Sequence, residues 1–154
     1  MKKSEIGREK MRYRKLILGL SIFTAVATSL YWIFVFTGVF FVEELVPGYT
    51  SWFWSFPLPD LWIFVTSALV AFAIITKRNT MTIVCGLLTA SSMIFLALNE
   101  LMFSFYTGAI NLPLSDIWLD LVIKAYCLIV GTFFIIHFAL IIKKFNRNLT
   151  TKED

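Results

Sequence analysis

A short acidic motif occurs twice in this chain, and its side chains are the ones best suited to chemistry. Pro57-Leu58-Pro59-Asp60-Leu61-Trp62 recurs as Pro113-Leu114-Ser115-Asp116-Ile117-Trp118. At the same offset, Glu44-Leu45 precedes the first copy and Glu100-Leu101 precedes the second. Because an internal repeat marks the architectural unit, we expect these carboxylates to occupy matching positions in two halves of one fold.

The four repeated carboxylates invite two interpretations. Placed at one depth in a membrane, Glu44, Asp60, Glu100 and Asp116 could hold a cation or share protons. Alternatively, Asp60 and Asp116 cap the helices that begin beside them. Glu44 and Glu100 are expected at helix C-termini, where the helix dipole disfavours negative charge and capping offers no benefit. The two glutamates are therefore stronger functional candidates than the two aspartates. The alternative for the glutamates is that they are simply exposed at the membrane interface.

A second charged pattern belongs to the second half alone. Asp116, Asp120 and Lys124 follow one another at spacings of four, which places them on one helical face. Their counterparts after the first motif include Phe64 and Ala68, which carry no charge. We expect Asp120 and Lys124 to form an ion pair that faces the bundle, as a neutralised structural pair or as the wall of a polar cavity open to the outside.

Composition indicates that membrane-spanning helices position these groups. The 154 residues are 58% hydrophobic and 16% charged, with a mean hydropathy of +0.79, which is more apolar than a soluble domain of this length. All of the 14 Lys and Arg residues except Lys124 lie in three short polar segments that flank apolar runs. The net charge of +4 therefore follows the positive-inside rule, and nucleic acid is excluded as a partner.

The apolar runs predict an all-α integral membrane protein with one domain over residues 1–154. Helices are expected at about 16–42, 60–76, 80–103 and 115–142, since about 20 apolar residues cross a bilayer. They form two tandem hairpins, a parallel repeat about a pseudo-twofold axis along the membrane normal. The basic tails, 1–15 and 143–154, are predicted in the cytoplasm of a bacterium, with the protein in its inner membrane. The aromatic residues around Trp52 and Trp54 are typical of an interfacial belt rather than a ligand cage.

Catalytic and cofactor templates are missing from the sequence. It has no G-x-S-x-G, H-E-x-x-H, P-loop or dinucleotide fingerprint. His137 is the sole histidine, and Cys85 and Cys127 lie in apolar runs where cysteine is usually a small buried hydrophobe. We therefore expect neither a cofactor nor a metal site.

Three functions fit these observations. The leading hypothesis is a protein that binds or moves a small ligand or cation through an outward-facing polar site, made by Glu44, Asp60, Glu100, Asp116, Asp120 and Lys124. The second is an accessory or immunity-type protein that acts on a membrane partner through its outer-loop aromatics. The third is a membrane enzyme for a lipid or isoprenoid, with a carboxylate as general acid or base. The expected partners are the bilayer, that ligand, and a second copy or another membrane protein.

Overall fold

The computed structural model describes residues 13–150, with side chains placed for residues 13–143, and all regular structure within this range is helical. Four helices are long and apolar enough to cross a membrane: α1 (Arg14–Phe36), α3 (Pro57–Ile75), α4 (Asn79–Thr107) and α5 (Leu114–Thr150). Their connections hold a short helix, α2 (Tyr49–Phe53), and a 3₁₀ turn (Ala109–Asn111). The all-helical, four-span prediction is confirmed. The twofold repeat and the side of the termini stay predictions, and much of both tails (1–12 and 151–154) lies outside the described residues.

The first spanning helix ends earlier than expected, at Phe36 rather than near residue 42. Gly38 adopts a left-handed conformation with φ of +73°, which glycine reaches without a Cβ clash. Its N–H donates to the Val35 carbonyl at 3.1 Å, and the Val39 N–H donates to the Phe34 carbonyl at 2.9 Å. These two bonds form a Schellman motif, so the chain turns out of the helix at this glycine.

The connection that follows holds a helix that was not predicted. Gly48, with φ of +83°, introduces the five residues Tyr49–Phe53. α3 then begins at Pro57, not at Asp60, because proline fits the first turn of a helix, where its missing N–H is not needed. Asp60 thus lies inside the first turn, and its backbone N–H donates to the Phe56 carbonyl at 3.0 Å. The prediction that Asp60 caps this helix is wrong.

The two long helices of the second half, α4 and α5, are longer than those of the first half. α4 continues past the predicted end at 103 to Thr107, and Gly108 stops it with φ of +75°. Glu100 therefore lies within the helix rather than at its C-terminus. α5 begins at Leu114, close to the predicted position, and runs beyond residue 142 to Thr150.

A tight turn joins the halves at the end of the bundle where the basic residues gather. Lys77 takes the left-handed position with φ of +58°, and the Arg78 N–H donates to the Ala73 carbonyl at 2.8 Å. The Arg14 guanidinium donates to the carbonyl of Ile74, which brings the start of α1 to the end of α3. We call this the basic end.

The long helices pack against one another in chain order, and the first and the last of them meet mainly through side chains. α1 packs on α3, α3 on α4, and α4 on α5. Glycines allow the last pair to approach closely: a Cβ on Gly86 would lie 2.1 Å from the Phe138 ring, and one on Gly131 would lie 3.0 Å from the Ala90 carbonyl oxygen. The edges α1 and α5 meet instead at a few side chains, such as Thr24 and Tyr126, whose hydroxyls are 2.7 Å apart.

Candidate functional site

A cavity of about 790 Å³ lies among the four long helices, at the end opposite the basic end. We call this the acidic end. The connection from Val39 to Leu45 and α2 also contribute to its walls. Most of the lining side chains are aromatic or aliphatic, and the aromatic ones come from three helices and the connection: Phe23, Tyr31, Trp32, Phe40, Phe41, Tyr49, Trp52, Phe53, Phe56 and Tyr126. Five carboxylates interrupt this apolar wall: Glu43, Asp60, Glu100, Asp116 and Asp120.

Glu100 is the carboxylate with a buried oxygen that lacks a partner. Its Oε2 atom is buried and has no hydrogen-bond partner among the described residues. It lies close enough to Asp120, Lys124 and Asp60 to interact with their charges. Since a buried carboxylate oxygen without a donor is unfavourable, this position is suited to a ligand that supplies one.

Asp60 faces the same cavity from α3 and is held by a different helix. Its Oδ2 accepts a hydrogen bond from the Trp32 indole N–H of α1 at 2.8 Å. Both side chains line the cavity. The indole fixes the orientation of the carboxylate while leaving its other oxygen available to a ligand.

The predicted ion pair between Asp120 and Lys124 is confirmed. The Lys124 ammonium contacts the Asp120 carboxylate and also donates to the Ser104 hydroxyl at 2.7 Å. Lys124 is only 3% exposed, and it lines a small pocket of about 20 Å³ beside the main cavity rather than the cavity itself. Asp120 lines both, so Lys124 neutralises this one carboxylate from behind.

The remaining two predicted site residues make local contacts. Asp116 is exposed at the cavity margin and accepts a hydrogen bond from the Ser115 hydroxyl at 2.7 Å. Glu44 is exposed, is not part of the cavity wall, and accepts from the backbone N–H groups of Gly48 (2.6 Å) and Thr50 (2.9 Å). The expectation that Glu44 lies at a helix C-terminus without a capping role is wrong, because its carboxylate caps the start of α2.

Hydrogen bonds also set the ionisation of Glu44. Thr50, through its side chain and then its backbone N–H, lowers the pKa of this carboxyl below its ordinary value. The bonds favour the charged form, since only the carboxylate accepts from both donors at once. Glu44 is therefore an anchor for the connection, whereas Glu100 and Asp60 line the cavity.

The aromatic wall was the part of the site that the sequence reading missed. Trp52 stacks on Phe103 with centroids 4.0 Å apart and planes at 9°, which fixes α2 against α4. Phe53 packs on Trp32 at 5.4 Å. Trp52 and Phe53 line the cavity, whereas Trp54 is exposed, and for Trp54 the interfacial belt stays a prediction.

A periodic signal could have found this wall. Tyr49, Trp52, Phe53 and Phe56 recur at spacings of three, four and seven, the period of a helix with one aromatic face.

Metal binding has no support in the described part of the chain. No three His, Cys, Asp or Glu side chains within it are grouped so that they could hold a metal ion. The arrangement combines a large aromatic cavity with five carboxylates, of which only Asp120 forms an ion pair with a Lys or Arg among the described residues. Such a site can attract a positively charged organic group.

Comparisons with known proteins identify no relative of this chain. No protein-family model, no curated protein and no solved structure matches the chain.

Proposed function

We propose that this protein is a multi-pass membrane protein that binds a small organic cation with an apolar body, in the cavity at its acidic end. The observation that carries the proposal is the unpartnered, buried Oε2 of Glu100 in the wall of an aromatic cavity. With the basic end in the cytoplasm, as the distribution of Lys and Arg predicts, the cavity lies on the outer side of the membrane.

The charge of the wall supports a cationic ligand. Asp60 and Glu100 both line the cavity, and Lys124 sits behind Asp120 and outside the main cavity. In surroundings of low dielectric constant, a positive group within about 4 Å of either carboxylate gains several kcal/mol of attraction that offsets its loss of water.

The size and lining of the cavity support an organic body rather than a bare ion. Cavities of about 300–1,000 Å³ accommodate drug-sized ligands, and a volume of about 790 Å³ lies within that range. Trp32, Trp52 and Tyr49 present aromatic rings, whose faces attract cations and pack on apolar groups. A hydrated inorganic cation would leave most of this apolar surface without a partner.

A series of compounds that share one aromatic ring and differ in charge tests the proposal. Benzylammonium, benzyl alcohol and benzenesulfonate would be titrated into the detergent-purified protein. Binding is followed by the intrinsic tryptophan fluorescence, to which Trp32 and Trp52 in the cavity wall contribute, and by the melting temperature. We expect the cation to bind at least about tenfold more tightly than the alcohol, which corresponds to about 1.4 kcal/mol, and the anion not to bind.

Matched substitutions then locate the charge. Glu100→Gln and Asp60→Asn should each weaken binding of the cation by about tenfold, whereas Asp116→Asn removes the same charge at the exposed margin of the cavity, where water screens it, and should weaken binding by less than about twofold. Equal binding of all three ring compounds, or equal losses in Glu100→Gln and Asp116→Asn, would reject the proposal. Stable co-purification of a membrane partner in place of cation binding would favour the interaction hypothesis.

A further inference from the structure

The two edge helices leave the cavity open on one side. The backbones of α1 and α5 do not approach as closely as those of the other neighbouring long helices, so side chains make most of the contact between these two helices. Phe23, Thr24 and Ala27 of α1, and Leu119, Val122 and Tyr126 of α5, line the cavity from its two sides. The cavity therefore reaches the seam between these helices.

The seam is closed near the middle of the bundle and toward the basic end. Thr24 and Tyr126 share a hydrogen bond at 2.7 Å, and Phe23 packs edge-on against Tyr126 at 5.5 Å. Farther toward the basic end, Tyr13 contacts the Phe133 and His137 rings. An opening between α1 and α5 is therefore confined to the half of the seam beside the cavity.

Lining residues at this opening face outward as well as inward. Phe23 is 56% exposed and Val122 is 56% exposed, although both line the cavity. The adjoining connection adds Val39 and Phe41, which line the cavity and are also largely exposed. Exposed apolar side chains at this depth of a membrane-spanning bundle contact lipid, so the margin of the opening is apolar and adjoins the bilayer.

We propose that the ligand reaches the cavity sideways from the bilayer, through the opening between α1 and α5 beside Ala27 and Val122. The inference rests on the proposed function and narrows its ligand class to cationic amphiphiles that dissolve in the membrane. The cationic group goes to Asp60 and Glu100, and the apolar chain lies along the opening. A water-soluble cation with the same head group lacks the part that fills the opening.

The test uses two probes with one head group and the full chain in lipid nanodiscs. Benzylammonium is water-soluble, and N-dodecylbenzylammonium partitions into the bilayer. Ala27→Phe and Val122→Phe narrow the opening without adding a tryptophan to the fluorescence signal. Leu30→Phe and Ile129→Phe are the matched controls, because both positions are exposed on the same two helices and neither lines the cavity.

We expect the long-chain probe to bind about tenfold or more tightly to the protein than its soluble counterpart, after correction for partitioning. Ala27→Phe and Val122→Phe should each slow its association and dissociation by about fivefold, and the controls should match the wild type. Circular dichroism and the melting temperature of the four variants, each compared with the wild type, show that each has folded.

Two results overturn the inference in distinguishable ways. If the soluble probe binds but Val122→Phe and Ile129→Phe associate with the long-chain probe at the same rate, the sideways route is wrong and the proposed function stands. If neither probe binds the wild-type protein, both proposals fail together.

Discussion

Asp60 and Asp116 hold the same position in two nearly identical motifs, but only Asp60 accepts a hydrogen bond from another helix. Its donor, Trp32, has Leu88 at the matching place in the second half, and leucine cannot donate. Asp116 is exposed and bonds to the adjacent Ser115. The same motif thus occurs twice, but the opposing helix decides the surroundings of each carboxylate.

Glu44 and Glu100 also hold matching positions in the repeat but differ in their surroundings, because the preceding helix ends before Glu44 and continues past Glu100. Gly38 stops α1 before Glu44, so this glutamate lies in a connection and caps α2. Gly108 stops α4 only after Glu100, so this glutamate stays on a helix that faces the cavity. The position of the left-handed glycine that ends the helix, before Glu44 or after Glu100, therefore determines whether the glutamate caps α2 or lines the cavity.

Among the four repeated carboxylates, the comparison singles out one in each half as a candidate to receive the ligand, Asp60 in the first and Glu100 in the second. Each has a counterpart in the repeat that is exposed and satisfied locally, Asp116 and Glu44 respectively. In our proposal, the counterparts secure the fold and the cavity pair receives the ligand. Substitutions that act on one half and spare the other test this division.

The largest effect is expected at the ion pair that only the second half possesses. Lys124→Met leaves the Asp120 carboxylate and the Ser104 hydroxyl without their buried partner. We expect the free energy of unfolding to fall by about 3 kcal/mol, at the lower end for a broken buried pair because Asp120 is 32% exposed. Reversible unfolding of the protein in mixed micelles measures the change.

A double substitution separates the ion pair from simple loss of packing. Adding Asp120→Asn to Lys124→Met removes the stranded charge and should recover more than half of the lost stability. Losses that simply add would mean that the two charges do not stabilise each other. Ala68→Met, on the first-half helix at the position that matches Lys124, is the control for a longer apolar side chain.

A smaller effect is expected at the hydrogen bond that only the first half possesses. Trp32→Phe keeps an aromatic ring but removes the donor to Asp60, and should lower the free energy of unfolding by about 2 kcal/mol. Trp62→Phe is the control, because Trp62 is the last residue of the same motif and is 50% exposed. The same unfolding measurement compares them, and equal losses would mean that the indole bond to Asp60 contributes nothing.

The four spans, the tight turn at Lys77 and the pairing of Asp120 with Lys124 followed from hydrophobic runs and helical spacing. The end of α1 was predicted too late because the apolar run continues to Val42, although Gly38 interrupts it. Hydropathy detects the apolar run up to Val42 but carries no information on the left-handed conformation of Gly38, which ends the helix. The start of α3 is predicted three residues too late, because hydropathy does not distinguish a proline in the first turn of a helix from a proline in a loop.

The cavity itself needed information that spacing does not contain. Periodicity places Asp60 and Glu100 at one depth, but it does not say which helices are neighbours, and the open edge between α1 and α5 depends on that order. The donor from Trp32 to Asp60 joins two helices, so no local pattern predicts it. The aromatic face of α2 was readable from its spacing and was assigned instead to the membrane interface.

The smallest effect is expected at Glu44, where acid should loosen α2 without unfolding the bundle. A carboxyl whose pKa is lowered on folding contributes stability above its unfolded value, 4.5, and loses it as the pH falls through the lower folded value. Hydrogen exchange of the Gly48 and Thr50 amides, corrected for intrinsic rates, should therefore lose protection below about pH 4.5. Glu44→Gln should show weak protection at every pH, since its amide accepts through one oxygen. If the wild-type amides stay protected through that range, the carboxylate does not hold α2.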